Sequence, residues 1–488
     1  MGTPRTTIVP APPDYADRHS QGCGRWVAAN LPGVPTGGWS CHPKDLLSRV
    51  LLVLAVVAMP LGCAKYTSRP LDAGGRATAF TGRSLSDDGL RKFLAQQGAA
   101  GGSWNVERLA LAAVYFHGDV AVARAVAEEA EAGIKTAGQS PNPVLTFSPA
   151  YDTTAAPAWI LGGTIDVPIE TAGKRGKRLA EARAMAEAAN FRMSVAAWDA
   201  RTKVRAALLD LYTAQENSAL LTTEVALHQE AVTKLDAQVK AGAASAFELI
   251  QERLGFNRSR LALHDAEKLS GTSRAQLAAA VGVSSAALEA AALDFSAFTS
   301  LPPAPGSGVR RRALVNRADL LAALADYAAA DAELRLQIAK QYPDVHLQPG
   351  YLLDQTDNKW SLGLSIELPI INQNRGPIAQ ASARRKTVGT TFEAKQASVF
   401  GEIEIALAAY RAARAKAATA DTLAEEAAQA SDTTKRMVDA GELVPLELTR
   451  RRIEASAANL SRLEARAQAQ QAVGALEAAL QTPLRTVK

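Results

Sequence analysis

The chain has 488 residues, a mild formal net charge of +5 and only 5% aromatic residues, and alanine dominates long stretches of it. Windows built from Ala, Glu, Arg, Lys, Gln and Leu are typical of long helices or coiled coils rather than of ordinary globular domains. Charges of both signs are interspersed, and no basic block alternates with aromatic residues, so we expect no nucleic acid among its partners.

Residues 1–62 contain the features of an export signal. Lys44 and Arg49 precede the apolar run "LLVLAVVAMPLGC", which ends at Cys63. A basic flank, a short apolar run and small residues predict a secretory signal, and the run is too short to span a bilayer. Residues 1–43 lie upstream of this complete signal, which indicates either an extended leading region or a true start further downstream.

Cys63 has two interpretations. It is an incidental cysteine in an ordinary signal peptide, or it is a lipidation site. The pair Gly62–Cys63 resembles the lipobox of bacterial lipoproteins, although Pro60 departs from that pattern. The resemblance implies that Cys63 is acylated, that it becomes the new N-terminus, and that residues 63–104 form a lipidated linker.

An internal repeat organises the rest of the chain. The segment "PVLTFSPAY" (143–151) corresponds to "PDVHLQPGY" (343–351) at an offset of 200, and "AGAASAFEL" (241–249) corresponds to "AGELVPLEL" (440–448) at an offset of 199. A nearly constant offset over such a distance indicates two copies of one supersecondary unit. We place the copies at residues 105–300 and 315–484, with a Pro/Gly-rich linker at 301–314.

Each copy begins with a helical lead, at about 105–138 and 317–341, followed by two strand-like runs within 143–169 and 343–370. Runs of this length that alternate in polarity and carry an aromatic residue at one end are typical of transmembrane β-strands. We predict a membrane-boundary girdle in which long basic side chains reach the interface. Its members are Tyr151, Trp159, Tyr351, Trp360, Lys174 and Arg175.

Two very long helices follow the strands, at about 175–240 and 376–440, and each extends roughly 100 Å. Return helices are predicted at about 245–282 and 445–480. Apolar residues at heptad spacing indicate coiled-coil seams. The seam residues are Leu221, Val225, His228, Val232, Leu235 and Val239 on the first long helix, Phe247, Ile250, Leu254, Asn257 and Leu261 on its return helix, and Leu446, Ile453, Leu460 and Leu463 on the second return helix.

The predicted fold is therefore mainly α with membrane β: two tandem repeats, each a β-hairpin on a long antiparallel coiled coil. Four strands cannot close a membrane barrel, because the smallest spanning barrels have eight strands. An open sheet edge is not tolerated in lipid. Three chains would supply twelve strands, so we expect a homotrimer in contact with outer-membrane lipid.

These features resemble the TolC-type outer-membrane factors over both repeats. The phrase "PIETAGKRG" (168–176) is similar to the strand-to-helix junction of the lipidated heavy-metal (cobalt-zinc-cadmium type) channels. The resemblance implies a lipid-anchored outer-membrane channel whose twelve-stranded barrel continues into an α-helical tunnel through the periplasm. It also implies a periplasmic adaptor and an inner-membrane proton-driven pump. The cargo would be metal cations or small toxic compounds.

Two alternatives stay open: a type I secretion channel, and a periplasmic adaptor lipoprotein, which would have a single hairpin. No catalytic motif is present, and the histidines form no cluster at metal-ligand spacing, so we expect neither an enzyme nor a cofactor or resident metal.

The turns between long and return helices are the predicted periplasmic tip and aperture. Their candidate residues are Gly242, Ser245 and Glu248 in the first copy and Gly441, Pro445, Glu447 and Arg450 in the second. One interpretation is purely structural, since acidic residues in a first turn cap and stabilise a helix. The resemblance adds an acidic, cation-attracting ring at Glu447, with Arg450 as a departure from the family's acidic pattern.

Overall fold

A computed structural model describes residues 65–154 and 156–484 of the chain. The chain divides into two units, residues 1–80 and 81–488. The short helix α1 (Ala73–Thr81), which has no buried residue, begins in the first unit. The expected signal segment and Cys63 lie outside the described residues.

In the second unit the same order of elements occurs twice. After helix α2 (Asp88–Gln96), the first copy consists of α3 (Val106–Phe116), α4 (Gly118–Ala137), β1 (Val144–Tyr151), β2 (Trp159–Ile169), α5 (Lys174–Lys240) and α6 (Ala246–Val281). After α7 (Ser285–Glu289) and a 3₁₀ turn, the second consists of α8 (Ser307–Asn316), α9 (Ala318–Ala339), β3 (Val345–Asp354), β4 (Asp357–Ile366), α10 (Arg375–Asp439) and α11 (Pro445–Leu480). The predicted class, mainly helical with one small antiparallel sheet, is confirmed.

The two long helices have 67 and 65 residues, which corresponds to roughly 100 Å each. They can be this long because α5 contains no proline and the one proline of α10, Pro377, lies in its first turn, where a missing N–H costs no helical bond. Helix α5 packs along α6 and α10 along α11, and α5 also contacts α9 and α11 of the other copy. The two repeats therefore share one helical framework.

The four strands form a single antiparallel sheet in the order β1-β2-β3-β4. Successive side chains of a strand point to opposite faces, so the register assigns every strand residue to one of two faces. The mainly apolar face carries Leu145, Phe147, Pro149, Tyr151, Trp159, Leu161, Gly163, Ile165, Val167, Ile169, Val345, Leu347, Pro349, Tyr351, Leu353, Asn358, Trp360, Leu362, Leu364 and Ile366. The other face, which we call the polar face, carries Thr146, Ser148, Gly162, Thr164, Asp166, His346, Gln348, Gly350, Asp354, Asp357, Lys359, Ser361, Gly363 and Ser365, together with five apolar residues: Val144, Ala150, Ile160, Pro168 and Leu352.

The two ends of the sheet differ in character. At one end Ile169, Val345 and Ile366 are level with one another, next to the starts of the long helices. We call this end the helical rim. At the other end, the aromatic rim, Tyr151 packs against Trp159 (ring centroids 5.0 Å apart) and Tyr351 against Trp360 (4.8 Å).

Several expected boundaries change. The helical lead of the first copy is two helices, α3 and α4, because the backbone of His117 is extended and its Nδ1 caps the amide of Asp119. In the second copy β4 starts at Asp357 and ends at Ile366 rather than at 370, because β3 begins opposite Ile366 and offers no partner to later residues. The connection between β3 and β4 is a two-residue turn, Gln355 and Thr356.

The expected linkers also contain packed helices. Helix α8, residues 307–316, begins inside the predicted 301–314 linker and ends two residues beyond it. In the 63–104 segment, helix α2 buries Leu90, Phe93 and Leu94 in the core that α3, α5 and α6 share. The amphipathic spacing of these residues was visible in the sequence, but the segment lies outside the repeat on which the prediction was based.

The seam prediction holds for α5 and is wrong for α6. Leu221 and Leu235 are buried, at 6% and 1% exposure. In contrast, Phe247, Ile250, Leu254 and Leu261 of α6 are exposed, and its buried positions are instead Leu249, Ser259 and Ala266. The apolar stripe of α6 therefore faces away from its own chain.

No single helix in residues 65–154 or 156–484 has the length and apolarity needed to cross a membrane. The pair α3 and α4, which meet at 55°, passes that test together by length and composition only.

A buried ionic cluster joins the two repeats where the middle of α5 meets the last turn of α11. Glu477 of α11 is 4% exposed and its Oε2 lies 2.9 Å from Nη1 of Arg201 and 3.3 Å from Nε of Arg205, both on α5. Arg205 also donates to the backbone and side-chain oxygens of Gln470. Burial lowers the pKa of Arg205, and Glu477 opposes that effect. Arg201 has a second counter-ion, since its Nη2 lies 2.9 Å from Oε1 of Glu107, whereas Glu477 is the carboxylate that pairs with Arg205. The charge of Glu477 is therefore most important for the burial of Arg205.

We predict that Glu477→Gln lowers the free energy of unfolding by about 3 kcal/mol, since it leaves buried Arg205 without its paired carboxylate and Arg201 with Glu107 alone. Chemical denaturation of the detergent-solubilised protein, followed by circular dichroism, measures the change. The control is Asp439→Asn, which removes an exposed ion pair with Lys435 and should have no measurable effect. Equal midpoints for both variants would contradict this role for Glu477.

Candidate channel aperture and strand-to-helix joint

The two helical tips are built alike. Helix α5 is followed by Gly242 (φ +73°) and α10 by Gly441 (φ +78°), which take the left-handed conformation that ends a helix and favours glycine. Ser245 then caps α6, with its Oγ accepting from the amide of Glu248 at 3.2 Å. Pro445 is the first residue of α11. The glycines, the serine and the proline therefore have complete structural roles as the ends and starts of helices.

Within one chain the two tips contact each other directly. Leu235 and Leu249 of the first tip enclose Leu446 of the second in one apolar cluster. Beside it, Nζ of Lys234 donates to the backbone oxygen of Pro445 (3.1 Å) and to Oγ1 of Thr449 (2.9 Å), and Thr449 is fully buried. These contacts hold the start of α11 against the end of α5.

Glu447 does not present a bare carboxylate. Its side chain is 30% exposed, with one oxygen 3.1 Å from Arg451 and the other 4.0 Å from Arg450. Arg451, one helical turn after Glu447, is the closer partner and was not among the predicted tip residues. The acidic character expected at this tip is therefore offset locally by two guanidinium groups. Glu248 of the first tip is exposed.

The strand-to-helix joint lies at the helical rim. Lys174, the first residue of α5, is only 7% exposed, and its Nζ lies 2.7 Å from Oδ1 of Asp344, just before β3. The amide of Thr171 donates to the same oxygen at 2.8 Å. Burial acts to raise the pKa of Asp344, but the bonds from Lys174 and Thr171 outweigh it and hold the pKa below its usual range. This pair connects the two repeats.

The neighbouring basic residues contact the end of α4. Arg175 donates to the backbone oxygen of Gly138 at 2.6 Å, and Arg178 donates to those of Ala137 and Gln139. Arg178 also forms an ion pair with Glu170, and its hydrogen bond lowers the pKa of that carboxyl group. Cations at a helix C-terminus are stabilising because the last carbonyl groups lack partners within the helix.

These contacts correct the prediction for the basic part of the girdle. Lys174 is not a side chain that reaches a lipid interface: it is buried in an ion pair. Arg175 is exposed but is directed to the end of α4. Asp344 is not predictable as the partner of Lys174, because pairing across 170 residues has no local signal. Glu170, in contrast, lies only eight residues before Arg178.

The aromatic part of the girdle lies at the opposite end of the sheet. Tyr151, Trp159 and Trp360 are exposed, at 60%, 57% and 81%. From Trp159 to Ile169 the strand extends about 33 Å, which a tilt of about 40° reduces to about 25 Å, the height of the apolar band of membrane barrels. The polar cluster at one rim and the aromatic pairs at the other therefore bound an apolar face of membrane thickness.

Among the described residues there is no group of three or more His, Cys, Asp or Glu side chains placed to hold a metal ion.

We predict that Lys174→Met destabilises the protein by about 2 kcal/mol, because it leaves the Asp344 carboxylate partly buried without its cation. The double variant Lys174→Met/Asp344→Asn should cost less than the sum of the two single variants, with a coupling of roughly 1–3 kcal/mol. Denaturant unfolding of the four proteins completes this cycle. Strict additivity would contradict a direct interaction.

Comparison with known proteins supports this architecture. The family model described as "Outer membrane efflux protein" matches residues 117–283 and 309–481, and so takes in both repeats. The cobalt-zinc-cadmium resistance protein CzcC of Cupriavidus metallidurans is 24% identical over 294 residues, which are 60% of this chain and 69% of that protein.

Two solved structures illustrate the shared fold. The outer-membrane channel OprN superimposes with a TM-score of 0.63 at 17% identity, over 77% of this chain and 89% of its own. The Campylobacter jejuni outer-membrane channel CmeC does so with a TM-score of 0.63 at 15% identity, over 94% and 95%. Because the family model covers well over half of the residues, the chain belongs to the outer membrane efflux protein family, whose members are passive channels and not enzymes.

Proposed function

We propose that the chain forms a homotrimeric, lipid-anchored outer-membrane channel that exports metal cations or small toxic compounds. Channels of this family reach into the periplasm and work with an adaptor and a pump. A periplasmic adaptor, one of the alternatives considered for the sequence, is set aside by the family match. The observation that carries the proposal is the two-faced sheet joined to paired helical hairpins.

Two surfaces support the trimer. The outer strands β1 and β4 each have one edge that pairs with no strand of the described chain, and lipid tolerates no such edge. Three copies of four strands give twelve, an even number within the range of membrane barrels. In addition, the apolar stripe of α6 is uncovered by its own chain, with Phe247 at 68% and Leu261 at 67% exposure. A neighbouring subunit that covers this stripe would complete the coiled-coil packing.

The cargo proposal rests on similarity to CzcC, whose name is that of a cobalt-zinc-cadmium resistance protein. The polar face of the sheet, with its hydroxyl, amide and acidic groups, suits a water-filled lumen through which hydrated cations diffuse. In this account the adaptor docks at the helical tips, and a proton-driven pump delivers the cargo to them.

We predict that the channel conducts Zn²⁺ and that its tip tunes cation preference. In planar bilayers, Glu447→Gln should lower the cation-to-anion permeability ratio about threefold and Arg450→Ala should raise it, because a change of about half a kT in the local potential shifts cation and anion occupancy in opposite directions. Reversal potentials in a salt gradient provide the measurement.

Asp421→Asn, which breaks a surface ion pair with Arg466 away from the tips, is the matched control. Unchanged selectivity in both tip variants would show that Glu447 and Arg450 do not line the aperture. Absence of any conductance in the unmodified protein would contradict the channel itself.

We propose that Cys63 carries the lipid anchor, on the basis of the signal-like segment that ends there. Cells that express the full chain and grow with radiolabelled palmitate should label the wild-type protein, and Cys63→Ala should abolish the label. Equal labelling of both would show that the lipid lies elsewhere, and no label in either would show that the chain is not acylated.

A further inference from the structure

The polar face of the sheet carries one histidine–carboxylate pair. Nδ1 of His346 on β3 lies 3.1 and 3.0 Å from the two carboxylate oxygens of Asp166 on β2. Both residues belong to the polar face, close to the helical rim. The register places Gln348 opposite Asp166 and Ser365 opposite His346, so further oxygen-bearing side chains surround the pair.

The geometry prepares the imidazole to bind a metal ion. An Nδ1–H that donates to a carboxylate fixes the tautomer, and the lone pair then resides on Nε2. Histidines that ligate metals almost always donate their other ring N–H to a carboxylate, a backbone carbonyl or water, which orients the ring and raises its basicity. The His346 side chain is 37% exposed and that of Asp166 is 28% exposed, so the free ring nitrogen is open to ions in solution.

We propose that Asp166 and His346 form a transient site for borderline divalent transition-metal ions on the channel wall, once in each chain. The proposal rests on the proposed function, in which the polar face lines the lumen. Nε2 of His346 is the protein ligand, water completes the coordination, and Asp166 acts as a positioning residue. Imidazole suits Zn²⁺, whereas Mg²⁺ prefers oxygen ligands and retains its water.

A site with a single imidazole ligand binds its ion weakly. Weak binding is compatible with a channel through which the ion must pass. Conduction requires an ion to bind well enough to enter and loosely enough to leave. The twelve-stranded barrel would carry three such pairs near the level at which the sheet meets the helices. Ions that leave the helical tunnel would therefore meet them on entering the barrel.

The chain offers a matched control pair. His264 on α6 contacts Glu267 at 3.2 Å and is 65% exposed, so it has the same chemistry on a helix surface away from the sheet. His228 and Glu252, in contrast, are only 15% and 18% exposed between α5 and α6. If histidine–carboxylate chemistry alone were sufficient, the His264 pair would bind Zn²⁺ and influence conduction equally.

The test measures Zn²⁺ block of potassium current through the full-length trimer in planar bilayers. We expect micromolar to millimolar Zn²⁺ to reduce the current in the unmodified channel, and Mg²⁺ at equal concentration not to do so. His346→Gln should raise the half-blocking Zn²⁺ concentration about tenfold or more, and Asp166→Asn should raise it about tenfold, the usual effect of losing an outer-shell partner. His264→Gln should leave it unchanged.

An open channel with the same half-blocking concentration in wild type, His346→Gln and Asp166→Asn would overturn the site while leaving the proposed function intact. Equal block by Zn²⁺ and Mg²⁺ would also overturn it. If His346→Gln yields no trimer, Asp166→Asn and His346→Asn decide the question by the same measurement. A wild-type protein that forms no channel would contradict the proposed function and the site that rests on it.

Discussion

The unpaired edges of the four-stranded sheet are the constraint on which the rest of the structure depends. Every backbone N–H and C=O group within a bilayer needs a partner, and the outer strands of this sheet leave one side each without a strand partner in the described chain. The sheet also has one face of membrane thickness that is apolar except for Asn358 near the aromatic rim. A chain of this kind reaches a stable state in lipid only by joining its edges to those of other copies.

The helical part of the chain also depends on other copies. The α6 stripe of Phe247, Ile250, Leu254 and Leu261 is exposed on the isolated chain, although coiled-coil residues of this kind are normally covered. Buried ion pairs, by contrast, are satisfied within one chain: Lys174 with Asp344 at the rim, and Glu477 with two arginines in the middle of α5. Contacts within one chain thus fix the two repeats against each other. Association with other copies would cover the remaining apolar surface.

Much of the architecture follows from the sequence because its signals are periodic. The offset between copies, the proline-free stretches and the strand alternation indicate the order of elements and the long helices. The fold class and the family were predictable on that basis. The glycine turns at the tips were also recognisable, since Gly242 and Gly441 have a local conformational cause.

The details that sequence reasoning missed are contacts between distant elements. The partner of Lys174 lies 170 residues away, and the basic residues after it contact the end of α4 rather than lipid. The pair Asp166–His346 has no spacing motif, because adjacent strands bring the two residues together across 180 positions. Heptad spacing identified the apolar stripe of α6 but could not distinguish a seam within the chain from a surface between chains.

Closure of the sheet between copies is most directly tested by disulfide crosslinking of β1 to β4 in native membranes. Thr146→Cys on β1 is combined with Ser361→Cys or with Ser365→Cys on β4, to allow for the stagger of strands in a barrel. The account predicts crosslinked species of two and three chains and none larger, dependent on both new cysteines. Crosslinks confined to single chains, or a ladder that continues beyond three, would contradict a closed trimeric barrel.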